Sequence, residues 1–180
     1  MQKDIDRILI PRQRIAERVK ELAQQISRTY SAETNGGLTL VTILSGSLIF
    51  LADLIRCLPL RMKIGLITVS SYKGTTAGKA SILQQLHVDV TGRHVLLIDD
   101  ILDTGGTLRL VRQQLEPAQP RSIRSCVLLR KPSKAPADVP ADFVGFDIDD
   151  VFVVGYGLDF NDHYRNLPDI AVLRPEVYAE

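Results

Sequence analysis

Residues 99–107 hold three aspartates and a glycine turn: Asp99, Asp100 and Asp103, then Thr104-Gly105-Gly106-Thr107. Glycines let the N–H groups of such a turn point inward. The two threonine hydroxyls and the N-terminal dipole of the following helix complete a cradle for a phosphate. Three carboxylates beside that cradle would repel a phosphate alone. They suit a ligand that also carries sugar hydroxyls, which donate hydrogen bonds to carboxylates, and a bound divalent cation. Mg2+ takes carboxylate oxygens, phosphate oxygens and water. An acid pair before a glycine turn can also be an ordinary strand–turn–helix joint with solvated carboxylates. The order hydrophobic strand, DD, D, TGGT favours chemistry over that bland reading. Dinucleotide-binding turns and Walker loops are set aside, because neither GxGxxG nor GxxxxGK[ST] occurs.

The elements that must position these residues are legible around them. Residues 95–98 form an apolar strand that delivers Asp99 and Asp100 to its carboxyl end, where open α/β sheets bind ligands. From Gly105 a helix carries Leu108, Val111 and Leu115 on one face. Upstream, Ile15, Val19, Leu22 and Ile26 predict a helix over 11–30, with Pro11 in its first turn. Leu38–Leu44 and Met62–Ser70 read as strands, with Ser47 capping a helix through Cys57 between them. Residues 71–81 are a long polar loop, with a short strand pair at 82–88 at its base. Further strands are expected at 123–129, 143–148 and 151–154, with a proline-punctuated connector at 132–140. Strand and helix alternating in this way predict an α/β fold with a parallel sheet between helices. The length fits one domain over 1–180.

Composition narrows the partners. At 45% hydrophobic and 24% charged, with a net charge of +1, the chain is typical of a soluble globular protein. Lysines and arginines are scattered, so neither a nucleic-acid face nor a membrane face is expected. Cys57 and Cys126 are far apart and outside any CxxC pair, which predicts free thiols in a reducing compartment. The first residues carry acids and too short an apolar stretch for a signal peptide, so a cytoplasmic location is expected. His87, His94 and His163 lack metal-ligand spacing.

The acid pair followed by Asp-Thr-Gly-x-Thr resembles the signature of the type I phosphoribosyltransferases. Residues 142–157 (DFVGFDIDDVFVVGYG) with Leu158-Asp159-Phe160 resemble its 6-oxopurine branch, as do residues 43–50 (ILSGSLIF) and the pair Ser71-Tyr72. The resemblance implies the type I phosphoribosyltransferase fold: a parallel core sheet flanked by helices, with a small hood from roughly 1–15 and 140–180. It also implies Mg2+-dependent transfer of 5-phosphoribosyl from 5-phosphoribosyl 1-pyrophosphate to N9 of hypoxanthine or guanine. The products would be IMP or GMP and pyrophosphate, as in purine salvage.

The same resemblance implies roles. Asp99 and Asp100 would bind the ribose hydroxyls, directly or through the metal, and Asp103 would manage the proton at purine N7. Thr104, Gly105, Gly106 and Thr107 would hold the 5-phosphate. Leu44, Ser45 and Gly46 would form the pyrophosphate loop, with a non-proline cis peptide. Arg165 would neutralise pyrophosphate, and Asp159 would bind a second Mg2+ through water. Lys131 would donate to the purine 6-oxo group, Phe152 would stack on the base, and the Val153 backbone would read its edge. Ser71 and Tyr72 would close over the site. Ser45 stands where several family members carry lysine, so only backbone contacts are implied there. The family forms homodimers and homotetramers. An RNA-binding regulator on this fold would want a basic face, which the near-neutral charge opposes; a uracil or adenine enzyme is opposed by Lys131 with Phe152-Val153.

Overall fold

A computed structural model of the protein describes residues 1–31, 37–70, 81–84 and 86–178. The chain opens with strand β1 (Ile5–Ile10) and helix α1 (Arg12–Ser31). Ile15, Val19, Leu22, Ala23, Ile26 and Tyr30 form the buried stripe of α1, the helical period read from the sequence. Strand β2 (Leu38–Leu44), helix α2 (Leu48–Cys57), strand β3 (Met62–Ser70) and strand β4 (Ser81–Gln84) follow. Next come β5 (His94–Leu102), α3 (Gly106–Leu115), β6 (Ser122–Arg130) and β7 (Phe143–Asp147). The chain ends with β8 (Val153–Val154), β9 (Ile170–Leu173) and the short helix α4 (Pro175–Tyr178).

Six strands make one sheet in the order β4-β3-β2-β5-β6-β7, parallel throughout except for the β3–β4 pair. The central strands are apolar on both faces because both faces are covered. Side chains alternate along β5, so Leu96 and Ile98 enter one core layer with α1 and α2. Val95 and Leu97 enter the other, with Val111 and Leu115 of α3. A separate antiparallel sheet, β1-β9-β8, joins the two ends of the described chain. No helix among the described residues is long and apolar enough to cross a membrane.

Several local expectations change; the pair expected over 82–88 is one strand, β4, paired with β3. Strand β5 runs on to Leu102, so Asp99 and Asp100 lie within the strand and not after it. Ser47 precedes α2 without capping it. Its hydroxyl donates back to the Ile43 carbonyl, and its φ of −78° and ψ of −2° are already helical. The strand expected over 151–154 begins only at Val153, because the Val151 N–H turns back to the Asp149 carbonyl at 2.9 Å. Strands β1 and β9 were not read as strands in the sequence, since neither alternates cleanly.

Candidate active site

Strand register opens the site. Pairing between β2 and β5 ends at Thr42↔Ile98, whereas β5 and β6 stay paired through Leu102↔Arg130. Beyond Ile98, β5 therefore has a neighbour on one side only. The unpaired side faces a cavity of about 490 Å³ lined by Leu44, Ser45 and Gly46, by Asp99, Asp100 and Asp103, and by Thr104 through Thr107. Asp159 and Arg165 complete its wall. The Leu44–Ser45 peptide is cis. A Cβ on Gly46 would overlap the Asp100 carboxylate, which would then have to move aside.

The acid pair sits in unusual surroundings. Asp99 is 5% exposed, and its Oδ1 accepts from the Asp100 N–H at 3.1 Å; Asp100 Oδ1 accepts from the Ile101 N–H at 2.9 Å. Burial pushes the Asp99 carboxyl well above the usual carboxylate range, and repulsion from Asp100 adds to this. Burial raises Asp100 too, opposed by hydrogen bonds from the Asp99 side chain and the Ile101 N–H and, least, by Arg165. Two crowded acids that resist ionising together would gain from a cation or from hydroxyl donors.

After Asp103 the chain turns at Gly105, whose φ of 73° is left-handed. A Cβ there would lie 3.0 Å from Pro136 and 3.2 Å from Val139. Gly106 is different: it starts α3 and has only the Thr104 hydroxyl at 4.0 Å. Of the two glycines in the turn, one is demanded by the backbone. The amino end of α3, whose first N–H groups have no partner within the helix, lines the cavity.

A second cavity, about 430 Å³, shares Asp100, Ile101, Asp103 and Asp159 with the first and adds Lys131, Lys134, Asp150, Phe152, Val153 and Tyr178. Lys131 is buried, with its ammonium 3.0 Å from Asp150 and 3.5 Å from Asp103. Asp103 Oδ1 is buried and has no hydrogen-bond partner among the described residues. The Phe152 ring meets Phe160 edge-on at 5.6 Å and stacks on Tyr178 at 4.8 Å. The sequence reading missed Asp150 and Tyr178. Nothing in a spacing of 19 residues ties Asp150 to Lys131, and Tyr178 reaches the cavity only through α4.

Arg165 and Asp159 are tied to each other. The guanidinium lies 3.0 Å from Asp159 Oδ1, donates to the Gly157 carbonyl at 2.9 Å and meets Asp162 at 2.9 Å; Asp159 Oδ2 accepts from the Asp162 N–H. Both Asp159 oxygens are thus engaged. Among the described residues, no group of three or more His, Cys, Asp or Glu side chains could hold a metal ion. Ser71 and Tyr72, expected to close the site, lie outside the described residues.

A parallel sheet with an acid pair, a glycine turn into a helix and a glycine loop at its carboxyl edge defines a class, and residues 7–161 match the model of the phosphoribosyl transferase domain. The chain belongs to the phosphoribosyltransferase family. It is 41% identical to the hypoxanthine-guanine phosphoribosyltransferase of Bacillus subtilis, over 99% of this chain and 98% of that one. With the enzyme of that name from Mycobacterium tuberculosis strain H37Rv the identity is 42%, over 97% and 89%. Among solved structures, a hypoxanthine phosphoribosyltransferase from Staphylococcus aureus superposes with a TM-score of 0.92 at 39% identity, covering 100% of this chain and 97% of that one. The Trypanosoma cruzi hypoxanthine phosphoribosyltransferase in complex with the product IMP gives 0.89 at 37%, covering 98% of both.

Proposed function

We propose that this protein transfers the 5-phosphoribosyl group of 5-phosphoribosyl 1-pyrophosphate to N9 of hypoxanthine or guanine, releasing pyrophosphate. The observation that carries this reading is the pair of adjoining cavities with Asp100, Ile101, Asp103 and Asp159 as their common wall. One suits an anionic sugar phosphate. The other, with a buried ammonium and an aromatic face, suits a planar base bearing an acceptor. The transition state puts positive charge on the ribose ring while the C1–oxygen bond breaks and N9 closes on C1. A held ribose, a positioned base and little water favour it.

On this reading Asp99 and Asp100 bind the ribose hydroxyls, and the Thr104-Gly105-Gly106-Thr107 turn binds the 5-phosphate through N–H groups and hydroxyls. Asp103, with one oxygen unpartnered among the described residues, takes the proton from N7 as N9 bonds. Lys131 donates to the 6-oxo oxygen and disfavours the amino group of adenine. Phe152 stacks on the base, and the Val153 backbone reads its edge. Leu44, Ser45 and Gly46 with Arg165 hold the leaving pyrophosphate. Mg2+ fits beside the crowded acids Asp99 and Asp100, where it would neutralise charge on the departing group. Asp159 would meet a second ion through water, since its oxygens are taken. We read the chain as one cytoplasmic domain that assembles as a homodimer or homotetramer.

The test is incubation with 5-phosphoribosyl 1-pyrophosphate, Mg2+ and, in turn, hypoxanthine, guanine, xanthine, adenine and uracil. Nucleotide from hypoxanthine or guanine, with none from adenine or uracil, is expected. No nucleotide from either of the first two would overturn the proposal.

A further inference from the structure

Asp150 holds together two walls of the base cavity. One wall is the turn after β6, where the Lys134 and Ala135 N–H groups return to the Lys131 carbonyl at 3.0 and 2.9 Å. That turn brings the two lysines to the same side. The other wall is the segment leading from β7 into Phe152 and Val153. Asp150 Oδ1 lies 3.0 Å from the Lys131 ammonium, and Oδ2 lies 2.8 Å from that of Lys134. The second carboxylate near Lys131 is Asp103, at 3.5 Å.

A buried ammonium needs partners, and it has three N–H bonds to share. With Asp150 on one side and Asp103 on the other, one donor remains for a base. Without Asp150, the ammonium would be drawn wholly to Asp103. That shift would withdraw the donor from the base and cover the carboxylate that must accept a proton.

We propose that Asp150 is a positioning residue for base recognition: it holds the Lys131 ammonium at the cavity wall and off Asp103, leaving both groups available to the 6-oxopurine. This rests on the reading of Lys131 as the donor to the 6-oxo group. It adds a residue whose action passes entirely through that lysine.

The experiment is a double-mutant cycle. Steady-state kcat and KM for hypoxanthine, and KM for 5-phosphoribosyl 1-pyrophosphate, are measured in the parent, Asp150→Ala, Lys131→Ala and the double variant. Asp150→Asn, nearly the same shape, separates loss of charge from misfolding. In the parent background Asp150→Ala and Asp150→Asn should each raise KM for hypoxanthine about tenfold, with little change in KM for 5-phosphoribosyl 1-pyrophosphate. In the Lys131→Ala background the same change should be less than about twofold. If the full effect survives without Lys131, or both substrates weaken equally, Asp150 acts otherwise and the proposal is overturned. No effect in the parent background overturns it as well. If Lys131→Ala itself leaves KM for hypoxanthine unchanged, the base-recognition reading falls first. If that variant raises KM and Asp150→Ala does not, only the present proposal falls.

Discussion

Asp103 differs from the two acids before it in what surrounds each oxygen. Asp99 and Asp100 accept hydrogen bonds from backbone N–H groups, whereas one Asp103 oxygen is buried without a partner among the described residues and the other lies 3.5 Å from Lys131. An unpartnered buried oxygen is poised to accept a proton from a ligand. Asp103→Asn keeps the shape and removes that capacity. Single-turnover rates, which isolate the chemical step, should fall by about tenfold or more. An unchanged single-turnover rate would remove Asp103 from the role of base. The acids themselves were legible in sequence because strand, turn and helix are contiguous there. Asp150 was not, since its meaning depends on a lysine brought near by the pairing of β6 with β7.

At the scale of elements, the joint from β5 into α3 carries the Thr104–Thr107 turn, and its two glycines have unequal duties. Gly105 is left-handed and close against Pro136 and Val139, while Gly106 is ordinary helix. A side chain in the left-handed region costs about 1–2 kcal/mol, so Gly105→Ala should lose at least about that much stability. Gly106→Ala should stay within about 0.5 kcal/mol of the parent, or gain, because alanine loses less chain entropy. Urea unfolding of the two variants checks this; equal losses would contradict the geometry. The sequence marked a glycine turn here, but it did not say which glycine the backbone needs. That depends on the 132–140 connector, which packs Pro136 and Val139 over the turn.

Across the whole molecule, the Tyr156 phenol links the loop after β8 to α2 by donating to Asp53 at 2.6 Å. Burial, and the hydrogen bond to Asp53, push that phenol above its ordinary 10.0. A group whose folded pKa is raised stabilises fully below its unfolded pKa and loses that contribution as pH rises beyond it. The parent should therefore lose stability above about pH 10, and Tyr156→Phe should lose less there. At about pH 8 the variant should be weaker by about 1 kcal/mol, the net worth of one hydrogen bond. Urea midpoints at about pH 8 and about pH 11 decide it, and equal alkaline losses in both proteins would count against the linkage. By itself, the sequence determined the parallel α/β core, the acid pair and the glycine turn, which depend on local periodicity and contiguous residues; the 6-oxopurine branch came from resemblance to a known family. Tertiary structure alone decided that the two cavities share a wall, that Asp150 meets Lys131 and that Tyr178 stacks on Phe152. Such contacts join residues far apart in the chain. Strand register and the closing terminal sheet bring them together, and neither leaves a periodic trace in the sequence.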